Sequence, residues 1–210
     1  MDHEEVGRHW DANAEAWTRL ARAGYDIYRD GLNTPAFLDM LPNVEGLSGL
    51  DVGCGEGHNT RLVAARGARM TGIDISETFV RHAKGEETRE PRGIRYVRAS
   101  AVELPFENAS FDFATAFMSL MDISETGRVL TEVFRVLKPG AFFQFSITHP
   151  CFDTPHRENL RDETGRTYAI EVGGYFHGRE GRSRNGSSPP PRRRCARNCL
   201  PSASPFSCGP

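Results

Sequence analysis

The chain has 210 residues, 38% of them hydrophobic and 10% aromatic, enough for one domain with a sizeable core. Its net charge of −2 hides an acidic body, because residues 181–210 hold six arginines and no acid. Taking those six from the 26 basic residues leaves 20 against 28 acidic ones, which excludes a basic nucleic-acid face on the body, and no apolar run reaches the roughly 18 residues of a membrane span.

The acidic start Met1-Asp2-His3-Glu4-Glu5 is no signal peptide. A helix follows, because Trp10, Ala14, Trp17, Leu20 and Ala21 recur near i, i+4 and i+7. Asn33-Thr34-Pro35 offers a cap and a first-turn proline for a second, short helix over Ala36 to Leu41. From Leu47 the pattern changes to short apolar runs alternating with helical stretches. Strands are predicted at Leu47–Val52, Ala68–Ile73, Ile94–Arg98, Phe111–Met118 and Ala141–Ile147. Helices are predicted near 58–66, 76–87 and 125–137, the last ending at a Pro139-Gly140 stop. Such alternation predicts an α/β fold: a doubly wound, mostly parallel, Rossmann-like sheet with helices on both faces. Residues 1–45 form its N-terminal helical cap and 46–150 its core.

Phe152 to Glu180 is polar and loop-like, with one strand candidate at Tyr168–Phe176, so 151–180 reads as a polar extension. Residues 181–210 hold six prolines and six serines beside the arginines, and read as a disordered tail. The five cysteines (54, 151, 195, 199 and 208) are odd in number and irregular in spacing, which fits reduced thiols in a cytoplasmic protein. Cys195 and Cys199 do not have convincing metal spacing, so no metal is expected.

The chemistry concentrates in Asp51-Val52-Gly53-Cys54-Gly55-Glu56-Gly57, a glycine-rich turn between a strand and a helix. Glycine lets a ligand approach bare backbone there. The spacing is G-x-G-x-G. A dinucleotide fingerprint would need glycine where His58 stands, and no Gly-Lys-Ser/Thr of a phosphate loop follows. A nucleoside-like ligand without a pyrophosphate fits better. Asp74 ends the second strand about twenty residues later, where an acid either accepts both ribose hydroxyls or, with Ser76, caps the next helix.

Four segments in order carry a resemblance. They are Leu50–Gly57, Gly72-Ile73-Asp74-Ile75-Ser76, Leu104-Pro105-Phe106 with Ser110-Phe111-Asp112, and Glu132–Gly140. Together they resemble the motifs of class I S-adenosylmethionine-dependent methyltransferases of the small-molecule type, over roughly residues 9–150. The resemblance implies S-adenosyl-L-methionine as cofactor and a small-molecule methyl acceptor; from charge and apolar run length, neither nucleic acid nor a membrane is expected as partner. It implies that Asp51, Gly53, Cys54, Gly55 and Gly57 surround the methionine part. Asp74 would hold the ribose and Ile75 would lie against the adenine. Ser100, Ala101 and Val102 would edge the adenine, and Phe117 and Met118 would floor the pocket. The family often has an acid where Ser100 stands, so a weaker adenine contact is expected.

A sulfonium is an activated donor, so the protein mainly aligns an acceptor and excludes water. His149, after the fifth strand, is the candidate base, or else a histidine satisfied in a pre-proline turn; Asp122 is a second polar group or a helix cap. Tyr25, Tyr28 and Arg29 form a lid, with Arg29 meeting the cofactor carboxylate, or are half-exposed packing residues. Arg135 and Lys138 read as structural. No Asp/Asn-Pro-Pro-aromatic sequence follows the fourth strand, which weighs against methylation of amino groups on DNA bases.

The family usually continues with two further strands that close the sheet edge. Here those C-terminal strands are expected to be missing, with the chain truncated or read out of frame after Gly181. The competing readings are a cofactor-binding protein without turnover and a nicotinamide-dependent oxidoreductase, the latter disfavoured by His58.

Overall fold

A computed structural model describes residues 2–149, 154 and 156–174, in two compact units divided after Asp153. The first unit opens with α1 (His3–Arg22). Asp2 caps it by accepting from the Glu5 amide at 2.8 Å, and Glu4, Glu5, Arg19 and Arg22 complement the helix dipole. A π-helical turn at Arg29–Asn33 then runs directly into α2 (Thr34–Met40). Asn33 is already helical and makes no capping bond, so the cap expected there does not form.

The sheet comprises β1 (Ser48–Val52), β2 (Arg69–Asp74), β3 (Arg95–Arg98), β4 (Phe111–Phe117) and β5 (Leu137–Ser146). All its pairs are parallel and the order is β3-β2-β1-β4-β5. Helices α3 (His58–Ala64), α4 (Glu77–Arg89) and α5 (Thr126–Val136) connect them. Alternation along each strand sends side chains into two cores. Met70 and Phe113 join Val63, Val80 and Ala83, whereas Ile73 and Ala114 join Val129, Val133 and Val136 of α5. The doubly wound sheet is therefore covered by helices on both faces.

One boundary differs from expectation. Helix α5 ends at Val136, and β5 begins at once with Leu137 opposite Phe111. Pro139 and Gly140 lie inside β5, where the register jumps to Phe113 opposite Phe142 and Gly140 takes φ 81°. The pair makes a bulge in a strand rather than a helix stop, because proline donates no ladder bond and glycine accepts the left-handed bend.

The second unit contains β6 (His156–Arg161) and β7 (Thr167–Gly173), an antiparallel hairpin. Its turn is tied by Asp162, whose Oδ1 accepts from the Thr164 and Arg166 amides at 2.9 and 3.0 Å. The loop-like reading of 151–180 is corrected here. β7 falls on the expected strand, but β6 was not expected. The last two residues of that candidate, Tyr175 and Phe176, and the whole tail 181–210 lie outside the described residues.

Candidate functional site

The order of strands places the reversal between β1 and β4, and their carboxyl ends open a crevice where ligands bind in such sheets. A cavity of about 850 Å³ lies there. Its base is the turn after β1. Gly53, Gly55 and Gly57 take φ of 72°, 55° and 89°. A Cβ on Gly53 would stand 2.5 Å from that of Ser119, whose hydroxyl donates to the Val52 carbonyl at 2.6 Å. The amides of Gly53 and Cys54 both donate to the Ile73 carbonyl, at 2.9 and 2.8 Å. These bonds stitch the turn to the ends of β2 and β4.

Asp74 joins the same stitching. Its Oδ2 accepts from the Gly55 amide and its Oδ1 from the Ser76 amide, both at 2.9 Å. Burial pushes its carboxyl up to about 6 against those two bonds. The helix cap is Ser76 instead, accepting from the Phe79 amide at 3.2 Å. Asp74 thus faces the cavity with one bond on each oxygen, leaving lone pairs for a ligand hydroxyl at each. Asp51 sits behind it, held by the hydroxyls of Thr60 at 2.5 Å and Thr115 at 2.9 Å. Burial raises its carboxyl to about 6 as well, with the two hydroxyls opposing.

Of the residues singled out in the sequence, Asp51, Gly53, Cys54, Gly55, Asp74 and Ile75 line the cavity. Ser100 and Ala101 after β3, and Phe117 and Met118 after β4, complete that set. Phe117 packs on Phe37 with ring centroids 3.8 Å apart. Met118 carries a positive φ of 51°, and its amide donates to the Ser146 carbonyl at 3.0 Å. Three others stand off the wall. Gly57 starts α3 against the Tyr96 ring, Val102 is buried in the core, and His149 lies exposed beyond β5. Asp122 is on the wall.

The far wall comes from α1 and the turn after it. Trp10 and Trp17 face the cavity and pack on Phe79, the latter edge-on at 5.4 Å. Tyr28 and Arg29 also line it, whereas Tyr25 does not. Arg29 lies 5.9 Å over Trp17, bonds Asp30 at 2.7 Å and meets Glu56 at 3.5 Å. Glu56 is buried, and burial raises its carboxyl even with Arg29 and Arg22 beside it. Burial lowers the pKa of His58, and the Arg29 charge adds to the effect. The sequence reading missed Glu56, although an acid between two glycines of the turn was a signal. It also took Trp10 and Trp17 only as helix packing. Arg135 is structural as expected, tying Glu132 to the carbonyls of Leu104 and Phe106. Among the described residues, no group of three or more His, Cys, Asp or Glu is placed to hold a metal ion, and no helix is long and apolar enough to cross a membrane.

Residues 50–145 match the model of a methyltransferase domain. The chain is 37% identical over 171 residues to the O-methyltransferase cnsE of Penicillium expansum, covering 72% of this chain and 62% of that protein. It is likewise 37% identical over 150 residues to the 27-O-demethylrifamycin SV methyltransferase of Amycolatopsis mediterranei, covering 65% and 55%. A solved S-adenosylmethionine-dependent methyltransferase from Mesorhizobium loti superposes with a TM-score of 0.60 at 32% identity, over 68% of this chain and 65% of that one. The chain thus spans less than two thirds of each of these relatives. Motif, sheet order and relatives agree in supporting a class I S-adenosylmethionine-dependent methyltransferase domain, matched over residues 50–145.

Proposed function

We propose that this chain binds S-adenosyl-L-methionine in the cavity at the carboxyl ends of β1 and β4 and transfers its methyl group to a small-molecule acceptor. The observation that carries the reading is Asp74, fixed by two backbone amides with acceptor capacity still turned to the cavity. That geometry fits the two hydroxyls of a ribose. The bare backbone of Gly53 and Gly55 fits close approach by the methionine part, beside Cys54. Ile75 would pack on the adenine, with Ser100 and Ala101 at its edge and Phe117 and Met118 below. Arg29 would meet the carboxylate, exchanging part of its contact with Glu56. Asp51, itself on the wall, and Gly57 and Val102, which stand off it, would support this set.

The cofactor held there would supply an electrophilic methyl on a sulfonium, with a neutral thioether as its leaving group. The protein's share is alignment and exclusion of water. A protonated acceptor also needs a proton taken from it. We assign this to Asp122, on the wall, or His149, next in the chain after the wall residue Thr148.

A second reading is binding of the cofactor without turnover. Calorimetry with S-adenosylmethionine and S-adenosylhomocysteine, followed by transfer of labelled methyl to a panel of hydroxylated and aminated acceptors, separates the two. Binding with transfer supports the enzyme. Binding with no transfer across the panel supports the second reading, and preference for NAD sinks both.

A further inference from the structure

The cavity holds more than the cofactor reading uses. At about 850 Å³ it stands near the top of the roughly 300–1,000 Å³ range of small-molecule sites, which leaves room for a second molecule beside a nucleoside. The charged groups on its wall largely answer one another. Asp26 accepts from the Arg29 amide at 3.0 Å, Arg29 meets Asp30 and Glu56, and His3 bonds Glu125 at 2.9 Å. Beyond the positions assigned to the cofactor, the wall carries an apolar set, Val6, Trp10, Leu32, Ala36, Ile123 and Ile147, interleaved with polar groups that include Asn33, Asn59 and Asp122.

The apolar wall continues outside. Tyr28 and Leu32 line the cavity yet are 73% and 66% exposed, and Ile27 and Met40 are exposed nearby in the chain at 66% and 76%. Single exposed apolar residues are ordinary in a folded protein. Residues that belong at once to a cavity wall and to the open surface mark a ligand that reaches from one to the other.

We infer that the acceptor is a neutral, lipophilic small molecule whose reacting end enters the cavity while its apolar remainder rests on Tyr28–Ala36 at the mouth. Calling this molecule the acceptor rests on the methyl-transfer reading; the apolar subsite does not. A charged acceptor would have to compete with the ion pairs already made. A lipophilic one only has to cover apolar surface.

The test uses the chain's two tryptophans, both of which line the cavity. The full chain is titrated with a 4-alkylphenol series, from methyl to hexyl, with and without saturating S-adenosylhomocysteine, while tryptophan fluorescence is followed. Binding is expected to tighten roughly fourfold per added methylene, the ratio set by burying one such group. In Leu32→Asp the rise per methylene is expected to flatten, while S-adenosylhomocysteine binding by calorimetry is unchanged. Affinities that stay within twofold along the series in the native chain overturn the inference, as does equal binding of 4-hydroxybenzoate. The native series decides the matter even if the variant does not fold. A flat series in a chain that binds S-adenosylhomocysteine overturns the lipophilic site alone. A steep series in a chain that does not bind it overturns the methyl-transfer reading and leaves the apolar subsite standing.

Discussion

Asp74 joins an observed role to a proposed one. Its oxygens hold Gly55 and Ser76, and the same carboxylate would accept the ribose hydroxyls. Charge-assisted bonds of this kind contribute about 1.5–3 kcal/mol each, so Asp74→Asn should weaken S-adenosylhomocysteine binding on the order of 10- to 100-fold. The pH dependence has a definite sign. With its carboxyl raised to about 6, affinity should be level above that pH and fall below it, as protonation removes the acceptor. Stability runs the other way. Asp51 and Asp74 both lie above their unfolded values, so folding gains from them as pH falls through 6 towards 4. Weaker binding at pH 5 therefore cannot be charged to their unfolding the chain. Calorimetry from pH 5 to 8 checks this, and an Asp74→Asn variant that kept the pH dependence would assign it to Asp51. Asp51, Gly53 and Asp74 stood out in the sequence because few chemistries need an acid and bare backbone at that spacing. Glu56 did not stand out, because what distinguishes it is burial between Arg22 and Arg29, which come from a distant helix and turn.

At the level of elements, periodicity located the α-helices and strands of the first unit to within a few residues. What it missed follows from what periodicity measures. The π-helical turn at Arg29–Asn33 differs from ordinary helix only in its bonding, and has no apolar spacing of its own. Strand β6, His-Arg-Glu-Asn-Leu-Arg, has no alternation to read and is made by backbone pairing with β7. The way α1 is fastened was hidden for a similar reason. Asp11 accepts from the Thr78 amide at 2.9 Å and the Ser76 hydroxyl at 2.7 Å, so one helix caps the start of another 67 positions away. Those bonds hold the Asp11 carboxyl below its usual range, Thr78 contributing most. Asp11→Ala should lower stability by about 1–2 kcal/mol, read as a shift in urea midpoint at constant slope. A change within a few tenths of a kcal/mol would show that the packing of Trp10 and Trp17 on Phe79 holds α1 without it.

For the first unit as a whole, the sheet was legible because a parallel, two-faced core forces a strong alternation of strand and helix. The closing of the cavity was not, because it depends on contacts across the full unit. His3 meets Glu125 at a separation of 122 residues, and Gly7 packs on Ile75 so closely that a Cβ there would stand 2.9 Å from it. Helix α1 is thus both the first segment of the chain and a wall of its ligand site. Such a wall is expected to be fastened late in folding, since its contacts wait for β2, α4 and the segment before α5. On the methyl-transfer reading, a thioether product held under α1 would leave only as fast as that helix lifts, so departure rather than chemistry is expected to limit turnover. With a working acceptor, rapid mixing should give a burst of methylated product close to one per chain before a slower steady rate. Asp11→Ala should speed the second phase and leave the first unchanged; a single linear phase would place the slow step in the chemistry itself.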